Sequence, residues 1–391
     1  MKILGIETSC DECAAAVVED GRTILSNVVA TQIPFHAEYS GVVPEIASRK
    51  HTEWISRVVK EALDKASVKV DEVDAVAATA HPGLLGSLLV GLSFAKAFAW
   101  ARDIPFMAVD HMLAHLYAPR LTNNKEKITN NKEQITNNEE QIANKKEEIA
   151  NNGECPDYPF LGLLVSGGHS IICRADNFDD ITVLGATIDD AVGEAFDKVS
   201  KHYGFGYPGG AVIDKLAQNG NPDAFNFPLP SLHKGDHKYD LSYSGLKTAA
   251  INQLDKFRAT ATATASATPA APTTANANTA ATATGADNPA DIAASFQKTA
   301  IEILLRALLR AASDTGLSTI VAGGGVAANS YLRAVLAKQQ GLRCIFPPLE
   351  LCGDNGAMIA GIAYQYLARG DRSDLRTTAS ARVKSFKRQY P

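Results

Sequence analysis

The strongest constraint on this chain is that it writes one α/β pattern twice. From Met1 it runs through a short apolar segment, MKILGIE, a polar corner, TSCDE, a second apolar segment, CAAAVVED, a turn at Asp20 and Gly21, and a third segment, TILSNVVAT. After residue 158 the same order returns as PFLGLLV, the corner SGGHS, IICRA, a turn around Asp176 to Asp180, and ITVLGAT. Short apolar runs bounded by turn residues read as strands. Each meander feeds helical patterns and further strands, among them a helix around Trp54 to Lys65, the strand DAVAATA and the helix LLVGLSFAKAFAWARD. Two such meanders predict a duplicated α/β fold with a cleft between the copies, faced by the polar corners.

A chain of 391 residues suits two compact domains. The first is read over 1–120 and completed by a helix over 354–369, the second over 153–258 and 286–353. Two segments stand outside this plan. Over 121–152 a seven-residue unit carries one apolar residue per repeat, at Leu121, Ile128, Ile135, Ile142 and Ile149. A coiled coil needs two apolar positions per heptad, so this reads as a solvated insert. Over 259–285 the chain is almost only Ala, Thr, Asn, Pro and Ser. Such side chains do not offset about 1–2 kcal/mol of backbone entropy per ordered residue, and the stretch reads as disordered.

A net charge of −5 excludes a polycation, so a nucleic acid would have to be gripped locally. The tail over 370–391, with Arg372, Arg376, Arg382, Lys384, Lys387 and Arg388, reads as a mobile cationic end. Six cysteines scattered over a long chain fit a reducing compartment better than a disulfide scaffold, and Cys10 and Cys13 read as packed small residues rather than a redox pair. Glu7 breaks the N-terminal apolar run before a signal sequence could form, and no stretch reaches transmembrane length, so a cytoplasmic protein without a membrane partner is expected.

Three corners resemble phosphate sites, because small residues let backbone N–H groups approach an anion. They are Thr8 to Glu12, Ser166 to His169, and AGGGVAANSYLR, where Gly323, Gly324 and Gly325 follow the strand STIVA and precede a helix starting near Asn329. Neither GxxxxGK[ST] nor GxGxxG occurs, which leaves the P-loop and Rossmann routes unsupported. In HMLAH, His111 and His115 stand four apart on one helical face. Asp354, at the start of an apolar helix, either caps that helix or reaches the cleft. If the three meet, two imidazoles and a carboxylate suit a divalent iron and tolerate zinc. A thermolysin-type protease would need HExxH, and Met112 stands where its glutamate belongs. Asp197, Gly210 and Asp214 follow the second corner in a helix, a turn and a further helix. There the acids either take a ribose or amine group or form a salt-bridged helix face.

GIETSCDE, VVPEIASRKH, HPGLLGSLLVG, HMLAHLYAP, LLVSGGH, DDAVGEAFDK, YPGG, LSYSGLKT, AGGGVAAN and GDNGAMIA together resemble the TsaD/YgjD family of tRNA N6-adenosine threonylcarbamoyltransferases. The resemblance covers Met1 to about Arg369 outside the two inserts. It implies the actin/Hsp70/sugar-kinase (ribonuclease H-like) fold and transfer of threonylcarbamoyl from L-threonylcarbamoyladenylate to adenosine 37 of tRNAs reading ANN codons, with release of AMP. It further implies His111, His115 and Asp354 as ligands of one divalent metal, Fe2+ or else Zn2+. Leu164, Val165, Ser166, Gly167, Gly168, Asp197, Gly210, Asp214 and Asn329 would form the substrate-binding set. Glu12 and Cys10 lie in the first corner, with Glu12 orienting the reacting group. The implied partners are tRNA, a TsaB-like paralogue and a TsaE-like ATPase. Rival readings are a metallopeptidase, an older label for the family, and a catalytically silent nucleotide-binding scaffold. Cys13 and Gly353 stand where the family commonly has threonine.

Overall fold

A computed structural model describes residues 1–39, 41–123, 156–232, 237–253, 288–382 and 386–388. The first meander is β1 (Lys2–Glu7), β2 (Glu12–Glu19) and β3 (Thr23–Thr31), paired antiparallel in sequence order. It is extended by β4 (Ala75–His81) and β5 (Phe106–Asp110), which add in parallel beyond β1, giving the order β5-β4-β1-β2-β3-β6 with β6 at Thr122–Asn123. The second sheet repeats this plan. Its strands β7 (Phe160–Val165), β8 (Ser170–Ala175) and β9 (Ile181–Ala186) form the meander, and β10 (Thr319–Gly323) and β11 (Arg343–Ile345) add in parallel beyond β7. With β12 (Phe386–Arg388) the order is β11-β10-β7-β8-β9-β12. Each meander also carries one register shift between its second and third strands, at Val17/Val18 and at Ile172/Cys173.

β1 and β7 are buried along nearly their whole length because helices or the other sheet cover both faces. Pro44–Ala66 and Leu85–Arg102 cover the outer face of the first sheet through Ile55, Val58, Leu92 and Ala95. Pro289–Thr315 and Val192–Tyr203 cover the second through Phe296, Leu304 and Phe196. Between the sheets a third core joins Ile3 and Met107 to Phe160, Leu164 and Ile171. Two helices are sandwiched in it, His111–Tyr117 after β5 and Gly356–Arg369 near the C-terminus. The second of these returns from the second sheet to pack on β1 and β2 of the first, where backbones come very close. A Cβ on Gly5 would lie 2.2 Å from the Gly356 carbonyl oxygen, and one on Gly356 would lie 2.6 Å from the Ala16 nitrogen.

Two expectations are corrected. Leu121 belongs to the core and not to the heptad insert: it is 1% exposed, and the next two residues pair with β3. The rest of the heptad repeat, from residue 124, and the Ala/Thr-rich segment over 259–285 lie outside the described residues. The tail is not a free cationic end over its described part. Ser373 bonds Phe106 and Ala108 of β5, Ser380 N–H donates to the Ala80 carbonyl, and β12 pairs parallel to β9 with Lys387 on Asp180 at 2.8 Å. Unpaired edge groups on β5 and β9 give the tail backbone partners that its composition does not reveal.

Gly5→Ala is expected to destabilise the fold by about 1–3 kcal/mol, because backbone rather than a flexible side chain fills the space. Denaturant unfolding checks this, and an unchanged midpoint would contradict the packing described.

Candidate active site

The carboxyl ends of β1, β4, β5, β7 and β10 converge on a cleft of about 960 Å³. The corners that follow these strands line it: Ser9 to Glu12 after β1, Ser166 to His169 after β7, and Gly325, Val326 and Asn329 after β10. Each corner is held from behind. In the first, the Ser9 carbonyl accepts from Leu84 N–H at 2.7 Å and the Asp11 carbonyl from Gln32 N–H at 3.0 Å, while buried His51 meets the Cys10 carbonyl at 2.9 Å. In the second, Ser166 and His169 close a turn on each other at 2.8 and 3.1 Å. In the third, Gly324 has φ of +93°, and a Cβ there would lie 2.4 Å from the Val165 carbonyl oxygen, so only glycine fits. Gly167, Gly168, Gly210 and Gly325 differ, since a Cβ on any of them would meet nothing within 4 Å. Their missing side chains leave room beside the backbone of the cleft wall.

His111 and Asp354 line this cleft, and buried His115 meets them there. Asp110 caps the short helix by accepting from Met112 N–H at 2.7 Å and Leu113 N–H at 3.2 Å, which sets the helix as β5 ends. Four-residue spacing then puts both imidazoles on one face. Their Nε2 atoms lie 3.1 Å apart, and Asp354 Oδ1 lies 3.1 Å from His115 Nε2 and 3.4 Å from His111 Nε2. One ligand atom from each residue falls within 4.8 Å of the others, a set that could hold a metal ion. The capping alternative for Asp354 is ruled out by its neighbour: Asn355 caps Gly356–Arg369, accepting from Met358 N–H at 3.0 Å, and leaves Asp354 for the histidines.

These acceptor-rich neighbours shift one another. Burial opposes charge on His111, yet Asp354 and Glu7 outweigh it and raise its imidazolium to about 9. Burial and the adjacent His111 lower His115. Burial opposes ionisation of Asp354, but both histidines hold it well below the usual carboxylate range. His169 is lowered to about 4 by burial and by His111 and His115, so it stays neutral at the rim. Two imidazole nitrogens and an ionised carboxylate oxygen converging on one point are the donor set that iron or zinc accepts.

The other expected site residues divide. Leu164 and Val165 do not reach the cleft, because their side chains are 1% and 0% exposed in the two cores flanking β7. Ser166, Gly167, Gly168, Asp197, Gly210, Asp214 and Asn329 all line it. Asp197 accepts from Gly209 N–H at 2.6 Å and Asp214 from Ser330 Oγ at 2.8 Å, so both tie helix starts to the cleft wall rather than forming a salt-bridged face. Asn329 caps Ser330–Ala337 through Leu332 N–H at 2.9 Å, and its amide donates to Gln297 Oε1 at 2.9 Å. Glu12 and Cys10 line the first corner. Burial, with Asp11 and Asp354 nearby, pushes the Glu12 carboxyl and the Cys10 thiol well above their ordinary values. Cys10 is therefore a neutral thiol and a poor nucleophile.

Glu7, at the end of β1, escaped the sequence reading. It is fully buried and accepts from Ser9 N–H and the Thr79 hydroxyl, both at 2.5 Å, and faces His111 Nδ1 at 3.0 Å. Burial works against its ionisation, but His111 outweighs it and holds the carboxyl below its ordinary value. An acid closing an otherwise apolar strand, beside a histidine helix, was the available signal.

Two repeated sheets with a cleft at their carboxyl ends place the chain in the actin/Hsp70-like ASKHA class. HypF from T. kodakarensis shares this fold over 94% of this chain and 48% of its own, at a TM-score of 0.53 and 14% identity. Component A of the Acidaminococcus fermentans (R)-2-hydroxyglutaryl-CoA dehydratase does so over 94% and 99%, at 0.50 and 13%. The family model described as TsaD, tRNA N6-adenosine threonylcarbamoyltransferase, matches residues 23–129 and 141–361. Proteins with that name are 58% identical in Treponema denticola, over 100% of this chain and 99% of the relative, and 49% identical in Treponema pallidum (strain Nichols), over 100% and 95%. The chain belongs to the TsaD family. It is an acyltransferase of tRNA modification that places threonylcarbamoyl on N6 of adenosine, and neither the metallopeptidase nor the silent-scaffold reading finds support in these matches. No helix among the described residues is long and apolar enough to cross a membrane.

The Asp197 carboxyl, raised by burial and by Asp11 from 3.8 to about 6, gives a pH signature. The folded state binds a proton that the unfolded chain has already lost between about pH 4 and 6, so this group's contribution to stability falls as pH rises through that window. Asp197→Asn is expected to remove that part of the slope. Unfolding curves of both proteins across this range check it, and parallel slopes would contradict the assignment.

Proposed function

We propose that the cleft takes L-threonylcarbamoyladenylate and the anticodon-loop adenosine 37 of tRNAs reading ANN codons, and releases AMP. The observation that carries this reading is the meeting of His111, His115 and Asp354 beneath three backbone corners in one cleft. These three residues would hold one divalent cation, Fe2+ or alternatively Zn2+. When bound, such an ion supplies Lewis-acid stabilisation of the charge that develops on the donor. The chain's own residues do the rest. Open corners at Gly167, Gly168 and Gly325 offer N–H groups to the adenylate without a side chain in the way. Asp197, Gly210, Asp214 and Asn329 complete the substrate wall.

A mixed anhydride already carries a good leaving group, so holding donor and amine together accounts for much of the acceleration. Glu12 faces the cleft as the group that orients the attacking N6 amine, whose proton goes to Glu12 or to solvent. Cys10 acts by shaping the first corner, as a thiol.

A TsaB-like paralogue and a TsaE-like ATPase are the proposed partners, in the cytoplasm. The outer helix Leu85–Arg102 supports a protein partner: Leu85, Leu89 and Trp100 are exposed on it, Trp100 by 76%.

Purified protein with both partners, threonine, bicarbonate, ATP, an adenylate-forming enzyme and unmodified tRNA is expected to yield the modified nucleoside, detected by mass. Asp354→Ala is expected to lose both bound metal and product. An intact wild-type complex that gives no product would overturn the reading.

A further inference from the structure

We infer that Glu7 is a positioning residue that fixes the tautomer of His111 and so prepares the metal site; the inference rests on the metal reading above. Glu7 is joined to three elements at once. Oε1 accepts from the Ser9 backbone N–H, and Oε2 accepts from Thr79 of β4 and faces His111 Nδ1 at 3.0 Å. Glu7 already accepts from Ser9 and Thr79, and its Oε2 lies within hydrogen-bond distance of His111 Nδ1, so Nδ1 carries its hydrogen toward Glu7. Nε2 is then the nitrogen that faces the point shared with His115 Nε2 and Asp354 Oδ1, and it gives up its own proton when a cation binds. A ligating histidine whose other nitrogen donates to a buried carboxylate is the arrangement that orients the ring and raises its basicity. His115 has no such support: its Nδ1 is buried without a hydrogen-bond partner among the described residues. Orientation of the pair therefore falls on His111 Nδ1, which faces Glu7 Oε2 at 3.0 Å and, at the longer distance of 3.2 Å, the Ser9 hydroxyl.

The geometry also predicts why an isosteric amide fails. The Ser9 N–H can only donate, so it draws the single carbonyl oxygen of Glu7→Gln. The amide NH2 then faces Thr79 and His111 Nδ1, donates to the imidazole and selects the tautomer with hydrogen on Nε2. A hydrogen then stands where the cation needs a lone pair.

The test is a titration of metal-free full-length protein with Co2+, read by d–d absorption, together with denaturant unfolding of each metal-free protein. Wild type is expected to bind one Co2+, and Glu7→Gln to bind it about 10–100-fold more weakly. A merely structural role would lower the unfolding midpoint and leave the affinity of the folded protein unchanged. Equal affinities would overturn the inference and leave the metal reading standing, whereas wild type that binds no Co2+ overturns both. Should Glu7→Gln fail to fold, Glu7→Asp, one methylene shorter and unable to span to Nδ1, is expected to weaken Co2+ in the same direction. An unchanged affinity in that variant overturns the inference equally.

Discussion

A knot of ionisable side chains buried between two sheets is the constraint on which the rest of this molecule turns. Glu7, His111, His115 and Asp354 come from β1, from the helix after β5 and from the crossing back from the second sheet to the first. Buried groups of this kind persist only when partnered, because leaving one unpaired costs far more than the net gain of an ordinary hydrogen bond. The two sheets, the histidine helix and the C-terminal helix must therefore hold one arrangement for the cluster to be satisfied. The apolar core around it, with Ile3, Met107, Phe160 and Ile359, supplies that rigidity.

Duplication explains why the cleft lies where it does. Each sheet ends its central strands on the same side, and each such end is followed by a tight corner. The corners divide the labour between packing and access. Gly324 is demanded by backbone conformation and close approach, whereas Gly167, Gly168 and Gly325 leave open space toward the cleft. The resulting site combines, at the floor, side chains that could hold a cation with glycine corners open to the cleft on the walls.

The doubled meander was legible because strand periodicity and turn chemistry are local properties, and the structure repeats both, with one register shift in each copy. The shared face of His111 and His115 was legible for the same reason, from helical spacing alone. The choice for Asp354 was not, because two adjacent residues, Asp354 and Asn355, could each cap the helix; only the tertiary fold assigns the cap to Asn355. Leu164 and Val165 enter the expected substrate set by resemblance alone, and the central strand end that carries them, covered on both faces, buries their side chains. Leu121 looked like the first tooth of a repeat, and its burial depends on a strand pairing across about a hundred residues of sequence. Glu7 and the docked tail were hidden because their partners, Thr79 and His111 for one and the edges of β5 and β9 for the other, lie far away in sequence.

Anomalous diffraction at the absorption edge of the metal carried by the purified protein tests the cation centre most directly. A single strong peak within coordination distance of His111 Nε2, His115 Nε2 and an Asp354 oxygen is predicted. A peak elsewhere, or one on the Cys10 sulfur with the two imidazoles uncoordinated, would contradict it.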